Sequence, residues 1–587
     1  MSKENLTIKE IFDLAVQKHQ SNNLQDAQNY YQKVLELDPN YVSALNNLGV
    51  IFQGLGENKK AKDCYEKVVE INPNRVEVHN NLGVLSLLAG KIKRAKECYE
   101  KAIEINPNYA DAHHNLGVIF QKLGEYHKAK ECYEKAIEIN PNRVEAHNNL
   151  GNIYYNLGEL QKAKNCYDKA IEINPNYADA LNNLGVTFKE LGENQKAKDC
   201  YEKAIEIDPK YADAHNNLGN IYYNLGELQK AKDCYEKAIE INPDLFDASA
   251  NVANIYVGQL TDFEIAISKS NEALKIYHKS YKFINQSVSL FKLKHDLQQA
   301  NYLNSKNYKI NGINEFIKIG DQILRREENK EEKNDVNKKI LLNNDEINTL
   351  LLYSKENHTY QTKTISGSCI NPNKNWLDVE DEYLNSNNQI IYIDDFLSDE
   401  TLIELREFCL VSKVWHKEYH NKYLGAFSNS GFISPIHLQI AVDLQQKLPR
   451  LFGAHKLGMF WGFKYDSILG KGINIHADFA IHNLNFWITP DKYNNDKNSG
   501  GLKVYDVPAP DNWTAQDYNN NSNKIYKFLK ENSANCVNIP YKFNRAVLFN
   551  SAYFHETDEI NFKNKYEGRR INNTYLFGGR LVKQSLC

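Results

Sequence analysis

The chain has 587 residues, of which 42% are hydrophobic, and a formal net charge of −4. That length exceeds one ordinary domain and predicts two or three units, while the near-neutral charge gives no reason to expect a nucleic-acid or acidic-membrane partner. No apolar run reaches the about 18 residues that a bilayer span needs, and the polar start Met1-Ser2-Lys3-Glu4-Asn5 has no apolar signal core. A soluble, cytoplasmic protein is expected.

From residue 5 to 278 the sequence repeats. Proline recurs at Pro39, Pro73, Pro107, Pro141, Pro175, Pro209 and Pro243, always 34 residues apart. Glycine keeps the same step in two registers, Gly49 to Gly219 and Gly56 to Gly226. In one unit, Ala146, Leu150, Ile153, Tyr154 and Leu157 fall on one face of a helix over Glu145–Gly158. Gly158 stops that helix. Ala163, Cys166, Tyr167, Ala170 and Ile171 make the stripe of a second helix, and Pro175 forbids its continuation. Gly151 and Ala170 are small where the two helices must approach. One such pair cannot cover its own apolar face, so neighbours stack into a solenoid.

Six of the ten cysteines, Cys64, Cys98, Cys132, Cys166, Cys200 and Cys234, follow the same step. Equivalent sites on stacked helices lie about 8–10 Å apart, beyond the about 7 Å that a disulfide allows. They are expected to be small buried packing residues in a reducing compartment.

The Leu-Gly step, the second glycine seven residues on, and the following Ala, Tyr, Ala and Pro resemble the tetratricopeptide repeat (TPR) family over about seven to eight units. The end units depart from that pattern: Ala15 and Asn22, and later Ala253 and Leu260, stand at the two glycine positions, as capping units require. One asparagine register, Asn47, Asn81, Asn115, Asn149, Asn183, Asn217 and Asn251, runs through the array. Asparagine is a poor helix-interior residue. In the family the first helix of each pair lines a concave groove, and the resemblance implies that this ladder hydrogen-bonds a protein or peptide there. The plainer reading is that recent duplication copied an abundant residue. The array also resembles the superhelix of O-linked N-acetylglucosamine transferases, but no glycosyltransferase domain follows it.

Residues 279–384 lose the period. Arg325–Lys339 is dense in charge and reads as a solvated helix or hinge, and His278, His295 and His358 read as isolated surface histidines.

Residues 385–585 turn to short β-rich runs. A strand is predicted in Gln389–Phe396, helices at Thr401–Val411 and Ile436–Lys447, then strands at Gly458–Tyr465, Ile473–Asp478, Leu484–Ile488, Leu502–Tyr505, Ala546–Phe549 and Asn572–Phe577, which suggests a sandwich or jelly roll. On a strand over Ile473–Asp478, His476 and Asp478 leave the same face. His555, after the strand Ala546–Asn550, is the candidate third ligand. Two histidines and one carboxylate form a facial set that leaves positions open on Fe(II). Fifteen residues later, Arg569 and Arg570 offer a guanidinium for a carboxylate. Another triplet, His416-Lys417-Glu418, has no matching context; His482 lies too far along to replace Asp478; Trp461 and Trp487 read as core aromatics.

His476-x-Asp478, the distal His555 and Arg570 at the next strand resemble the 2-oxoglutarate and Fe(II)-dependent oxygenases, whose fold is a double-stranded β-helix. Gly500-Gly501-Leu502 matches the family's strand entry. The resemblance implies Fe(II) on His476, Asp478 and His555, 2-oxoglutarate held by Arg570 (preferred to Arg569) and Tyr465, and O2 as the second substrate. The reading is multi-domain: a TPR superhelical solenoid over 5–278, a helical and charged linker over 279–384, and a mainly-β oxygenase-like jelly roll over 385–585. It makes the chain a dioxygenase that hydroxylates a polypeptide bound by the solenoid. The alternative is a non-catalytic adaptor with an inactive jelly-roll module.

Overall fold

The computed structural model describes residues 6–280, 287–328, 339–355, 358–419, 422–466, 468–469, 472–478, 480–510, 513 and 515–579. The chain forms two compact units, Met1–Pro209 and Lys210–Cys587. No helix among the described residues is long and apolar enough to cross a membrane.

The first unit is six antiparallel helical pairs, from Ile8–Gln20 with Leu24–Leu37 to Ala178–Glu190 with Asn194–Ile207. The pair Val144–Asn156 and Leu160–Ile173 shows why the sequence folds so. It buries Ala146, Leu150, Ile153 and Tyr154 on one helix and Ala163, Tyr167 and Ala170 on the other. A Cβ on Gly151 would lie 2.5 Å from Cε1 of Tyr167, and Gly49, Gly83, Gly117 and Gly185 face Tyr65, Tyr99, Tyr133 and Tyr201 in the same way. The glycine is therefore a seat for a tyrosine ring. Gly158 has a φ of +76°. Its N–H donates to the Tyr155 carbonyl and that of Glu159 to Tyr154, which satisfies the last carbonyls of the helix.

The repeated cysteines are half-buried and in no disulfide, not fully buried as expected. Burial still pushes the thiols of Cys64, Cys132, Cys166 and Cys200 up to about 11, so they stay protonated.

The second unit opens with two more pairs, ending in Phe246–Gln259 and Phe263–Ser280. At the second-glycine position of the last pair, Leu260 takes a left-handed φ of +52°. This terminal pair is covered by protein. Ser270 Oγ donates to the Ser428 carbonyl and accepts from Gly431 N–H, both at 2.7 Å, and Tyr277 donates to the His416 carbonyl at 3.2 Å.

The region expected to be a helical and charged linker carries helices at Leu290–Ser305, Ile313–Glu328 and Asn344–Lys355. Their Phe291, Leu297, Leu303, Phe316, Ile323 and Leu350 share one core with Phe408, Phe432, Leu444 and Phe460. His295 is completely buried, not a surface residue, and its Nδ1 lies 3.0 Å from Asp296 Oδ1. His278 and His358 are half-buried. Most of the charge-dense stretch, residues 329–338, lies outside the described residues.

The strands of this unit are β1 Ser287–Ser289, β2 Lys339–Leu341, β3 Ile390–Ile393, β4 Lys417–Tyr419, β5 Tyr423–Phe427, β6 Leu457–Tyr465, β7 Ile468–Leu469, β8 His482–Trp487, β9 Leu502–Pro508, β10 Cys536–Ile539, β11 Ala546–Asn550, β12 Tyr553–Thr557, β13 Ile560–Asn561 and β14 Ile571–Phe577. Seven of them form an antiparallel sheet in the order β3-β11-β8-β14-β6-β5-β4, and β10-β9-β12 form a smaller one. Alternation divides the large sheet. Leu484, Phe486, Leu548, Tyr575 and Phe577 face helices Asp399–Val411 and Pro435–Lys447. Trp487, Val547, Phe549, Phe463 and Tyr465 face the other way and pack with Leu502, Val504 and Ile539 of the small sheet.

The strand expected over Ile473–Asp478 is reduced to one isolated bridge, His476 to His555. The paired strands β10 and β12 were not foreseen. Gly501 is confined by sterics: a Cβ there would lie 1.8 Å from the Ile539 carbonyl oxygen.

Candidate metal centre and a buried arginine

The segment around His476 hangs on β12 by reciprocal backbone bonds, His476 N–H to the His555 carbonyl at 3.0 Å and His555 N–H to the His476 carbonyl at 2.8 Å. Asp478 N–H donates to the Ser551 carbonyl. The backbone thus alternates although it is not a regular strand. Ile475 and Ala477 point with Phe554 into an apolar cluster that includes Ile525 and Leu529. His476, Asp478 and His555 point the other way and bring one ligand atom each within 4.8 Å of one another. Among the described residues this is the one cluster of its kind.

His555 Nε2 lies 3.4 Å from Asp478 Oδ2, and His476 Nε2 lies 3.9 Å from Oδ1. The two rings are 4.2 Å apart between centroids. Each Nδ1 is turned to a backbone carbonyl, His476 to Asn474 at 2.9 Å and His555 to Tyr553 at 3.1 Å. An Nδ1–H donated there puts the lone pair on Nε2, the tautomer a metal ligand needs. Burial, and then the His555 ring, hold the His476 imidazole down at about 4, so it is neutral at ordinary pH. Burial pushes the Asp478 carboxyl up, but the bond and charge from His555 and the Asn483 amide outweigh it, and the group stays an ionised carboxylate. Two imidazoles with Nε2 turned inward and one carboxylate, with a ligand atom each within 4.8 Å, are a donor set that suits a divalent first-row ion with open positions.

Arg569 and Arg570 part company. Arg569 donates to Gln298 Oε1 at 3.0 and 2.9 Å and lies 3.4 Å from Asp466 Oδ1. Arg570 turns into the interior, 1% exposed. Its Nε donates to the Gly500 carbonyl at 2.6 Å and its Nη2 to Gly501 at 3.4 Å. Its guanidinium lies over the Tyr465, Trp487 and Tyr541 rings at 4.8, 5.5 and 6.0 Å. Nη1 is buried with no partner, and among the described residues no carboxylate lies within ion-pair distance of Arg570. A buried guanidinium left this way is costly unless an anion joins it. Burial pushes the Tyr465 phenol up, while the Arg570 charge and hydrogen bonds with Thr557 and with Arg570 itself pull it back. Thr557 stands two residues beyond His555 on β12, so the arginine pocket and the metal cluster share a strand.

His482 is elsewhere, its Nδ1 3.3 Å from the Tyr383 hydroxyl and its ring against Phe452 and His455. His416 Nδ1 is turned to the Val414 carbonyl. Trp487 is fully buried and Trp461 half-buried. Asn483, which donates to Asp478 Oδ2 at 2.6 Å, went unnoticed in the sequence. The alternation of Asn483 and Asn485 with Leu484 and Phe486 is the signal that marks it.

The asparagine register is half-exposed throughout. Its amides are engaged inside the helical array. Asn47 donates to the Tyr31 hydroxyl at 3.1 Å, Asn115 to Asn80 at 2.9 Å, Asn183 to Asn148 at 3.0 Å and Asn251 to Asn216 at 3.0 Å, while Asn149 Nδ2 meets His114 Nε2 at 3.1 Å. Asn81 and Asn149 also bond the Tyr65 and Tyr133 hydroxyls. Most of these bonds cross from one repeat to the preceding one, so the register ties repeats together.

The tetratricopeptide repeat family matches residues 42–75, 110–143, 144–177 and 212–245; TPR repeat matches cover 17–56, 87–124 and 187–226, and further tetratricopeptide matches cover 64–97 and 166–199. Tetratricopeptide repeats thus occupy residues 17–245. No curated protein matches the chain. Among solved structures, the chain is similar to MamA (29% identity, 28% of this chain and 95% of that one, TM-score 0.26). It is similar to YrrB, a TPR protein with an unusual peptide-binding site (27% identity, 31% and 95%, TM-score 0.27). It is also similar to pilF of Pseudomonas aeruginosa (22% identity, 35% and 94%, TM-score 0.33).

Proposed function

We propose that the β-rich region is a jelly-roll oxygenase dependent on Fe(II) and 2-oxoglutarate, and that the tetratricopeptide repeats bind the polypeptide it hydroxylates. The observation that carries this reading is Arg570, a buried cation with an unpartnered Nη1 in the same unit as the His476, Asp478 and His555 cluster. The Fe(II) held by these three ligands would supply the oxidising chemistry that couples conversion of 2-oxoglutarate and O2 into succinate and CO2 to hydroxylation of a C–H bond.

The chain's own residues do the rest. The carbonyls of Asn474 and Tyr553 hold the two imidazoles with Nε2 inward. Arg570 presents its free Nη1 to one carboxylate of 2-oxoglutarate, with the Tyr465 hydroxyl as a second donor. Trp487 and Tyr541 wall the guanidinium from water, which strengthens that contact. Repeat-built surfaces are suited to extended peptides, and the half-exposed asparagine register is the candidate strip for such a ligand, sharing its amides between repeat and peptide.

The deciding experiment is succinate release from 2-oxoglutarate by the full chain with Fe(II) under air, paired with an anaerobic Fe(II) titration that follows the charge-transfer band of the chelate. His476→Ala is expected to abolish both. A folded wild-type chain showing neither leaves the adaptor reading, in which the repeats are the whole function.

A further inference from the structure

The inner face of the large sheet carries polar residues where apolar ones would pack. Asn483, Asn485, Asn572 and Thr574 are all at most 5% exposed, and on the opposite face of the same strands stand Leu484, Phe486 and Tyr575. Buried amides are tolerated only when bonded, and these are bonded to one another in a fixed order. Thr574 Oγ1 and Asn572 Nδ2 donate to Asn485 Oδ1 at 2.6 and 2.9 Å. Asn485 Nδ2 donates to Asn483 Oδ1 at 2.5 Å. Asn483 Nδ2 donates to Asp478 Oδ2 at 2.6 Å.

The direction follows from chemistry. An ionised carboxylate only accepts, so Asn483 must present its N–H2 to Asp478 and its oxygen to Asn485. Asn485 must then donate to Asn483 and accept from β14. Every donor in the series points toward the negative charge on Asp478, and such bonds polarise one another. Among the described residues no hydrogen bond is made to Asp478 Oδ1 by a side chain; Oδ1 is the oxygen nearer His476, and Oδ2, which Asn483 engages, is the one nearer His555.

We infer that Asn483, Asn485 and Thr574 are positioning residues for the metal centre, a directed relay across β8 and β14 that engages Asp478 Oδ2 and presents Oδ1 as the single carboxylate ligand atom. This rests on the metal-centre reading above. The relay ties ligand orientation to the sheet itself, so the third ligand does not depend on the short irregular segment that carries it.

The test is Co(II) titration of the full chain, read by visible absorbance, which reports both affinity and ligand geometry, with a melting curve for each variant. Wild type is expected to bind Co(II). Asn483→Leu, near in volume, is expected to bind about 10–100-fold more weakly and to shift the Co(II) spectrum. Thr574→Val, which keeps the shape and removes one donor, is expected to show a smaller loss in the same direction. Folded variants that bind within about twofold of wild type with its spectrum overturn the relay. If Asn483→Leu does not fold, Thr574→Val alone decides. A wild type that binds no Co(II) overturns the metal-centre reading instead, and the relay with it, so the two failures differ.

Discussion

The Arg570 guanidinium lies 4.8 Å from the centre of the Tyr465 ring and donates a hydrogen bond from Nε to the Gly500 carbonyl, while Nη1 is buried with no hydrogen-bond partner among the described residues. Stacking and the Gly500 and Gly501 carbonyls satisfy part of a guanidinium, not its charge. Arg570→Lys removes the planar fork while keeping the charge. With Mn(II) present, 2-oxoglutarate is expected to raise the melting temperature of wild type and to lose most of that effect, tenfold or about so in affinity, in Arg570→Lys. Arg569→Lys, on the Gln298 side, is expected to keep it. Equal responses from the two variants would place the carboxylate elsewhere.

Metal removal separates ligands from packing residues. Saturating divalent ion at about 100 times its dissociation constant adds about 2.7 kcal/mol. A chelator is expected to lower the metal-loaded wild-type melting temperature accordingly and to leave His476→Ala and Asp478→Ala unmoved. His482→Ala is expected to respond like wild type.

Two glycines of one repeat fail for different reasons. Gly151→Ala drives a methyl into the Tyr167 ring and is expected to cost about 1–3 kcal/mol by overpacking. Gly158 has open space around it and a φ of +76°, so Gly158→Ala is expected to cost about 1–2 kcal/mol through the backbone alone. Gly158→Asn should recover part of the second loss, and trimming Tyr167 to Leu part of the first. Urea denaturation of the full chain measures both.

The last helical pair is held by Ser270, whose hydroxyl serves the Ser428 carbonyl and the Gly431 N–H together. Ser270→Ala strands two buried backbone groups and is expected to cost about 1–3 kcal/mol. Gly431→Ala meets Leu274 Cδ2 at 2.4 Å with a φ of +94° and is expected to cost at least as much. Faster amide exchange across Phe263–Ser280 is the readout, and unchanged protection in both variants would contradict it.

Asp394 gives a pH dependence. Its hydrogen bond from Arg545, helped by Lys542 against partial burial, holds its carboxyl down at about 2, below the usual 3.8. A depressed folded value adds stability that is complete above the unfolded value and is lost as pH falls toward about 2. Allowing for solvent screening, Asp394→Asn is expected to cost about 1 kcal/mol at neutral pH. The gap from wild type should close between about pH 4 and pH 2, and a constant gap would mean the loss is not electrostatic.

The helical array is legible because its signals are local and periodic. Gly158, Pro175 and the stripe through Ala146, Leu150 and Ile153 depend on residues within one turn or one repeat. The partition of His476 and Asp478 from Ile475 and Ala477 is legible for the same reason, since extended backbone alternates even where no ladder forms. The packing of the helices of 287–355 was hidden because Phe291, Leu297 and Phe316 find their partners in Phe408, Phe432 and Leu444, far along the chain and without a repeated spacing.

By itself, then, the amino-acid sequence determined the 34-residue period, where the helices of each repeat stop, and which residues alternate beside His476. Only the tertiary structure sent the Arg569 and Arg570 side chains to different places, because adjacent side chains at the start of a strand are sorted by what waits on each side: Gln298 and Asp466 for one, the Gly500 carbonyl and three aromatic rings for the other. Only the tertiary structure joined Asn485 and Thr574 to Asp478, because register between strands 89 residues apart is set by packing on both faces of the sheet, not by any local propensity.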